Sequence, residues 1–316
     1  MTEAYVDHLS YALGDVRQSL AEAEARQQLV SDPSALEGAG FAHHHVCSAD
    51  VDAYSLARAT VEPLRERLGT IDIIIYSTCL PINGSVHGQA EFEASRDVKH
   101  FMSFPASHLM ADFDLTSARV IGLNQQACTG MIGSIALARD LLAANPDNRR
   151  VLCVTADRFP EQALYEQSYN LISDGGAACI VSDADSGYRI LGHFHVTNGG
   201  MVNANDDETV GSFFSFSHQV ISAAVNRAGL TIADIDWVVP QNTNVKAWEI
   251  LTRLLGVDME RVFLGSIAEV GHVISGDNII NLKQLADEGR LERGQRLLLF
   301  MAGYGSNWQA LVLEVV

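Results

Sequence analysis

The sequence predicts an α/β protein made of two related halves, in which helices cover the faces of parallel sheets. Short apolar runs alternate with helical patterns along the 316 residues, and such alternation is typical of βαβ construction. Hydrophobic residues make up 47% of the chain and aromatic residues only 7%, a composition usual for proteins with buried sheets. A weak internal duplication is the third indication, and the length leaves room for two fused half-domains.

Strands are predicted where short apolar runs lie between turn residues. The predicted strands cover residues 71–76, 151–155, 177–182, 188–196, 237–240, 296–301 and 310–316, and residues 119–122 are strand-like. Helices are predicted where apolar residues follow the helical period. The predicted helices cover residues 21–30, 54–68, 133–144, 216–228, 245–255 and 278–288.

The duplication is a repeated order of helix, short turn, acidic residue and strand. Residues 61–68 lead into an apolar run at 70–75, and residues 220–225 lead into another at 232–239. A polar turn follows each run, and further along the chain Cys128 opens one strand–loop–helix unit and His272 the other. A pseudo-twofold axis between the halves would place matching turns face to face. This predicts that Cys128 and His272 lie together, although matches this short also arise by chance.

Charge and cysteine usage exclude several classes of protein. The formal net charge of −18 argues against a nucleic-acid partner, because no broad basic surface is available. The five cysteines form no CxxC pair, which indicates a reducing compartment. No signal-peptide pattern opens the sequence, and no apolar run reaches membrane-spanning length. We expect a cytoplasmic protein with neither a nucleic-acid nor a membrane partner.

Three adjacent histidines, His43, His44 and His45, raise the question of a metal site. Adjacent side chains point in different directions, and no cysteine or carboxylate cluster accompanies these three. We interpret them as a surface loop and expect no metal.

Cys128 lies between the strand-like residues 119–122 and a helical run rich in Ile, Ala and Leu. A cysteine there stands at a helix N-terminus, where backbone dipoles and unpaired N–H groups favour an anion, so the thiolate is expected to form near neutral pH. Such a sulfur can accept an acyl group and pass it on. From these residues alone, a small buried apolar cysteine is an equally good interpretation.

Residues 81–119 form the longest segment without clear periodicity, and they carry Phe101 and Phe104. Such a segment inside a compact chain is usually a lid, a binding loop or an interface arm.

Four motifs together resemble the thiolase superfamily, and specifically its ketoacyl-ACP synthase III branch. They are QACTG at 126–130, LISDGGAA at 171–178, WVVPQNTN at 237–244 and AGYGSNW at 302–308. Each is modestly specific alone, but they share the family's order and spacing. The resemblance implies a thiolase fold with five αβαβα layers, halves at residues 1–185 and 186–316, and an obligate homodimer.

Two departures from that family concern the reaction. The family usually has a His after the Val-Pro pair and an Asn after a later Gly, which together stabilise the enolate left by decarboxylation; here these positions hold Gln241, which does not titrate, and His272. Asp277 follows the flexible Gly276 and can fold back to one nitrogen of His272. This Cys…His…Asp pattern resembles the divergent acyltransferases of natural-product pathways. The other role open to Asp277 is to cap the helix that begins at residue 278.

The resemblance implies acyl transfer from a CoA or carrier-protein thioester, through an acyl-enzyme, to an oxygen, nitrogen or thiol acceptor, with no permanently bound cofactor. It assigns the following roles: nucleophile, Cys128; general base and its orienting group, His272 and Asp277; oxyanion hole, Cys128, Tyr304 and Gly305; acceptor contacts, Gln241, Asn242 and Asn244; phosphate contact, Lys246; closure of the acyl pocket, Phe101 and Phe104. Hydrophobic interface packing explains the two phenylalanines equally well.

Other functions stay open. The early Trp-x-x-x-Arg stretch with which the family often clamps CoA is missing from residues 31–41, so a carrier-protein donor is possible. A synthase that forms a carbon–carbon bond, and a non-catalytic partner in a heterodimeric synthase, are the alternative functions. Asp174 and Trp308 are expected to be structural.

Overall fold

The computed structural model describes residues 3–80, 88–167, 170–201, 206–304 and 306–316. The strands are β1 Tyr5–Leu13, β2 Val16–Ser19, β3 His43–Val46, β4 Ile73–Ser77, β5 Arg119–Leu123, β6 Arg150–Asp157, β7 Glu166–Gln167, β8 Asn170–Leu171, β9 Gly175–Ser182, β10 Tyr188–Thr197, β11 Trp237–Val239, β12 Arg296–Gly303 and β13 Asn307–Val315. The helices are α1 Leu20–Ala25, α2 Pro33–Glu37, α3 Ala53–Val61, α4 Gly88–Ser95, α5 Pro105–Asp112, α6 Gly130–Ala144, α7 Asp206–Arg227, α8 Val245–Leu255, α9 Ile267–Val270 and α10 Asp277–Asp287.

In the described part of the chain, nine strands form one continuous sheet, and its two halves repeat one strand order. The order is β11-β12-β13-β10-β1-β9-β6-β4-β5, and β1 meets β10 through only two residue pairs. Moving outwards from that junction, the N-terminal half has the order β1, β9, β6, β4, and the C-terminal half has the order β10, β13, β12, β11. In both halves the first strand of the sheet lies beside the last, and the next to last and the second strand follow. The prediction of two related halves is therefore confirmed. The prediction of parallel sheets is wrong in part, because only β4 with β5 and β6, and β11 with β12, pair in parallel. The other pairs in the sheet are antiparallel, as expected where a short connection such as that from β12 to β13 joins neighbouring strands. The predicted boundary at residue 185 falls between β9 and β10.

The sheet strands separate the helices into layers because successive side chains point to opposite faces. Ile73 and Ile75 of β4 join a central cluster with α6 and α10, whereas Ile74 joins an outer cluster with α3 and α5. In the other half, β12 likewise faces α10 with one set of side chains and α7 and α8 with the other. The order helix, first half of the sheet, helix, second half of the sheet, helix is the five-layered αβαβα arrangement that we predicted.

Helix α6 lies in the central layer. Its buried apolar side chains recur at helical spacing and include Met131, Ile132, Ile135, Ala138 and Leu142. By length and composition the stretch Ala127–Ala144 could cross a membrane, but 61% of it is buried inside the protein. It is a core helix between the sheets.

Several predicted elements differ from the structure. Helix α1 ends at Ala25, five residues before the predicted end, and Pro63 converts the end of the predicted 54–68 helix into a 3₁₀ turn. The 81–119 segment contains α4, α5 and the start of β5, although residues 81–87 lie outside the described part. Strand β1 was missed because polar residues and an irregular register between Asp7 and Ser10 hide its alternation.

The interpretation of His43–His45 as a surface loop is wrong. These residues form β3, which pairs with β2. His44 is fully buried, with Nδ1 against the Ile172 carbonyl oxygen at 2.8 Å and Nε2 against Oε1 of Gln18 at 3.2 Å. Burial lowers the pKa of His44 to about 4, because the charged imidazolium is poorly solvated inside the protein.

Candidate active site

The structure brings Cys128, His272 and Asp277 into one chain of contacts. Nε2 of His272 lies 3.4 Å from Sγ of Cys128, and Nδ1 lies 2.6 Å from Oδ2 of Asp277. Each of the three residues is at least 93% buried. Because an ionised carboxylate only accepts hydrogen bonds, Nδ1 carries the proton shared with Asp277 and the Nε2 lone pair faces the sulfur.

The Asp277 carboxylate is held on both oxygens. The Val273 N–H donates to Oδ1 and the Asn242 N–H donates to Oδ2, each at 2.7 Å. Asp277 begins helix α10, but Gly276 occupies the N-cap position and makes no side-chain cap. The capping role considered for Asp277 is therefore not observed, since its carboxylate turns back towards the loop that carries His272.

The expectation that Cys128 ionises near neutral pH is wrong for the resting protein. The pKa of its thiol is raised well above the ordinary value by the hydrogen bond with Cys79, by burial and by the nearby carboxylates of Asp277 and Asp157. Cys128 lies in a 3₁₀ turn directly before α6, so it is near the positive end of the helix dipole. The causes of the raised pKa act against the effect of that dipole. The resting side chain is a neutral thiol, with the imidazole beside it ready to take the proton.

Backbone strain occurs on both sides of the contact between sulfur and imidazole. Ala127 and Ile274 both have φ of +44°, a conformation that non-glycine residues adopt at a cost of about 1–3 kcal/mol. The Oγ of Ser275 donates to the Ala127 carbonyl at 2.9 Å and so joins the two strained turns. Such strain often accompanies functional sites.

Gly303 ends β12 directly against the turn of Cys128. A Cβ on Gly303 would lie 2.9 Å from the Cys128 nitrogen and 3.2 Å from the Gln126 carbonyl oxygen, so this position needs a residue without a side chain. The Tyr304 backbone follows at once, and its ring is exposed. Gly305, the third residue predicted for the oxyanion hole, lies outside the described residues.

Gln241 and Asn242 were predicted to contact the acceptor, but their side-chain amides bond to the protein instead. The Gln241 amide exchanges two hydrogen bonds of 3.1 Å with the N–H and C=O of Ala302. Asn242 is fully buried, and its amide bonds Ser266, Asn281 and the Gly271 carbonyl. Both amides form hydrogen bonds within the protein, so they support the loops around the site and have few donors or acceptors free to bind a ligand.

The remaining predicted contacts lie further out. Asn244 is half-buried and caps α8 by accepting from the Lys246 N–H at 3.0 Å, while the Lys246 side chain is exposed. Phe101 and Phe104 are also exposed. Phe104 lines a cavity of about 300 Å³ beside Leu80, Val120 and Leu123. Roles for these four residues in substrate binding stay predictions.

Asp174 and Trp308 are structural, as we expected. The Asp174 carboxylate accepts from the backbone N–H groups of Cys47 and Phe159 and from the Tyr165 hydroxyl. Burial raises the pKa of Asp174 despite these bonds. Trp308 is buried with Phe216 in the outer layer of the C-terminal half.

Cys79, Asp157 and Ser275 near the nucleophile were not singled out from the sequence. Asp157 Oδ1 accepts from the Thr78 hydroxyl and from the N–H groups of Cys79 and Leu80, which fixes the loop after β4. The available signal was the polar turn after β4, matched in the duplication by the turn at Gln241. In the described part of the chain, no group of three His, Cys, Asp or Glu residues could hold a metal ion.

Solved structures of other proteins share this fold. The chain superimposes on ChlB3, described as an acyltransferase, with a TM-score of 0.83 and 18% identity over 99% of this chain and 98% of that one. It superimposes on β-ketoacyl-[acyl-carrier-protein] synthase III from Thermus thermophilus with a TM-score of 0.79 and 24% identity over 99% of each chain. The architecture therefore defines a thiolase-fold protein.

Sequence comparison gives the family within that fold. Residues 124–199 match the family model for 3-oxoacyl-[acyl-carrier-protein] synthase III, and residues 225–315 match the model for its C-terminal part. A β-ketoacyl-[acyl-carrier-protein] synthase III from Brucella canis is 24% identical over an alignment of 320 positions, gaps included, which covers 90% of this chain and 91% of the relative. The chain belongs to the 3-oxoacyl-[acyl-carrier-protein] synthase III family.

Proposed function

We propose that the protein is an acyltransferase that moves an acyl group from a CoA or carrier-protein thioester, through Cys128, to an oxygen, nitrogen or thiol acceptor. The observation that carries the proposal is the series of contacts from Asp277 through His272 to the Cys128 sulfur. A nucleophile, a base and a group that orients the base are the parts that acyl transfer through a covalent intermediate needs.

The first half-reaction forms a thioester between Cys128 and the acyl group. His272 takes the thiol proton at Nε2 as the sulfur attacks the acyl carbonyl, and Asp277 stabilises the imidazolium. The proton then goes to the departing thiolate, and the donor leaves as a free thiol. Because the resting thiol is neutral, proton transfer has to accompany the attack.

The second half-reaction regenerates the enzyme. The acceptor O–H, N–H or S–H loses its proton to His272 as it attacks the acyl-enzyme, and the proton then returns to the Cys128 sulfur. Both steps pass through an oxyanion, for which we propose the backbone N–H groups of Cys128 and Tyr304 as donors. No metal or bound cofactor is required.

Gln241 favours a heteroatom acceptor over decarboxylative condensation. A side chain paired with the Ala302 backbone through both amide atoms is poorly placed to stabilise an enolate. His272 is then the base available for deprotonating an acceptor.

A carbon–carbon-forming synthase is the second candidate, since the Brucella canis relative is named as a ketosynthase. In that case His272 would deprotonate an acidified carbon acid without help from a second donor. We further propose a cytoplasmic homodimer, on the basis of the family resemblance.

Intact-protein mass spectrometry tests the proposal. Incubation with a panel of acyl-CoA and acyl-carrier-protein thioesters should add one acyl group to the wild type and none to Cys128→Ala. The loaded enzyme is then mixed with malonyl thioester. Release of carbon dioxide with a β-keto product would support the synthase, whereas absence of any adduct would contradict both candidates.

A further inference from the structure

We infer that Ser275 is a positioning residue for the oxyanion hole, because its hydroxyl holds the peptide plane whose N–H is the proposed donor at Cys128. The inference rests on the proposed acyl transfer and adds a residue that neither the sequence motifs nor the comparisons assign.

The geometry starts from the Ala127–Cys128 peptide bond, which is trans. In a trans peptide the C=O and the N–H lie in one plane and point in opposite directions. Anything that fixes the Ala127 carbonyl therefore also fixes the direction of the Cys128 N–H. The Ser275 hydroxyl donates to this carbonyl at 2.9 Å, and Ser275 is only 1% exposed.

The Ala127–Cys128 peptide needs a support from outside the turn because the backbone at Ala127 is strained. Ala127 has φ of +44°, and a rotation of the peptide would relieve this strain. The same carbonyl also accepts from the Gly130 N–H, but that bond is local and moves with the turn. The bond from Ser275 comes from the opposite half of the chain and ties the turn to the loop that carries His272.

The close approach of Gly303 to the nitrogen end of this peptide is consistent with the same role for Ser275. Gly303 lies so close that a Cβ there would be 2.9 Å from the Cys128 nitrogen. The peptide is thus held between Ser275 at its carbonyl end and the end of β12 at its nitrogen. A rotation of the plane would move the N–H relative to the Tyr304 backbone, the other proposed donor.

The test separates oxyanion stabilisation from nucleophilicity. Ser275→Ala is compared with the wild type in two reactions of the purified full-length protein: acylation of Cys128 by p-nitrophenyl acetate, and its alkylation by iodoacetamide. Acylation passes through an oxyanion, whereas alkylation does not. We expect acylation to slow about tenfold and alkylation to change less than about twofold, by analogy with the loss of one well-placed hydrogen bond.

Ser134→Ala is the matched control, because Ser134 is also buried and donates to a backbone carbonyl, that of Gly130, at 2.8 Å. It should leave both rates unchanged. Equal acylation of wild type and Ser275→Ala, or a parallel loss of acylation and alkylation, would overturn the role of Ser275 alone. A wild type that is alkylated but is acylated neither by this ester nor by the thioester panel would instead overturn the proposed function and this inference with it.

Discussion

Nδ1 of His272 lies 2.6 Å from the Asp277 carboxylate, although five positions separate the two residues in sequence. The turn between them allows this because Ile274 adopts a positive φ and Gly276 follows it. Asp277 thereby fixes the tautomer of the imidazole that contacts the nucleophile, which makes it the first residue to test.

Asp277→Asn should reduce transfer by at least about 100-fold, because the amide can offer its NH₂ to Nδ1 and stabilise the wrong tautomer. The measurement is the rate of acyl-enzyme formation, followed by mass spectrometry of samples quenched at successive times. Since the imidazole then fails to accept a proton at Nε2, alkylation of Cys128 by iodoacetamide should slow as well. An Asp277→Asn protein that folds and acylates at the wild-type rate would remove Asp277 from the mechanism.

Cys79→Ala should shift the alkylation profile of Cys128 to lower pH. The Cys79 thiol is the largest cause of the raised Cys128 pKa, because it stabilises the neutral thiol, so its removal lowers that pKa. Alkylation at residue 128 is followed by peptide mass spectrometry from pH 6 to about 10, within the range where thiols titrate. Cys47→Ala is the control, as Cys47 is not among the main causes of the raised Cys128 pKa. An unchanged or upward-shifted profile would contradict the prediction.

Gly303→Ala should slow acylation by about 10²–10³-fold. The new Cβ would lie 2.9 Å from the Cys128 nitrogen, so the nucleophile turn or the end of β12 must move. Loss of an oxyanion donor costs about 10²–10³ in rate. Gly211→Ala has open space around its Cβ and should behave like the wild type. The prediction fails if both variants show normal rates of acyl-enzyme formation.

Most of the fold was predictable because it depends on local patterns that agree with one another. The period of the apolar residues located β4, β6, β10, β12 and α8, and the duplication correctly paired Cys128 with His272. Patterning failed where polar residues are satisfied by tertiary contacts, as in β3. There, the fully buried His44 bonds Ile172 and Gln18, and such long-range partners leave no mark in the local sequence.

The site was predictable in its residues but not in their environment. The spacing around Gly276 was enough to suggest that Asp277 folds back to His272. By contrast, the directions of the Gln241 and Asn242 amides depend on Ala302, Ser266 and Asn281, which only the packed structure brings together. The raised Cys128 pKa likewise depends on Cys79, which lies 49 positions earlier in the sequence.

The buried histidines should make the protein sensitive to mild acid. Burial lowers the pKa of both His44 and His193 to about 4, whereas an unfolded histidine titrates near 6.5. Between these values the unfolded chain binds protons that the folded chain does not. The free energy of unfolding should therefore fall as the pH falls from about 6.5 to 4, by up to roughly 1.4 kcal/mol per pH unit for each histidine.

Urea unfolding at pH 7 and pH 5 measures this dependence. His193→Gln should weaken it by up to half of that contribution, and His218→Gln, which alters an exposed side chain, should leave it unchanged. Equal stability at the two pH values would contradict the prediction.

The proposed homodimer should depend on β5, the strand at one edge of the nine-stranded sheet. Arg119, Val120 and Gly122 are exposed along it, and an edge strand offers unpaired N–H and C=O groups to a second copy. Val120→Lys places a charge on this edge and should shift the protein from dimer to monomer at micromolar concentration. Light scattering after size exclusion gives the mass, and Val98→Lys, also at an exposed valine, is the control. A wild type that is monomeric throughout, or a dimer that is insensitive to Val120→Lys, would exclude assembly through this edge.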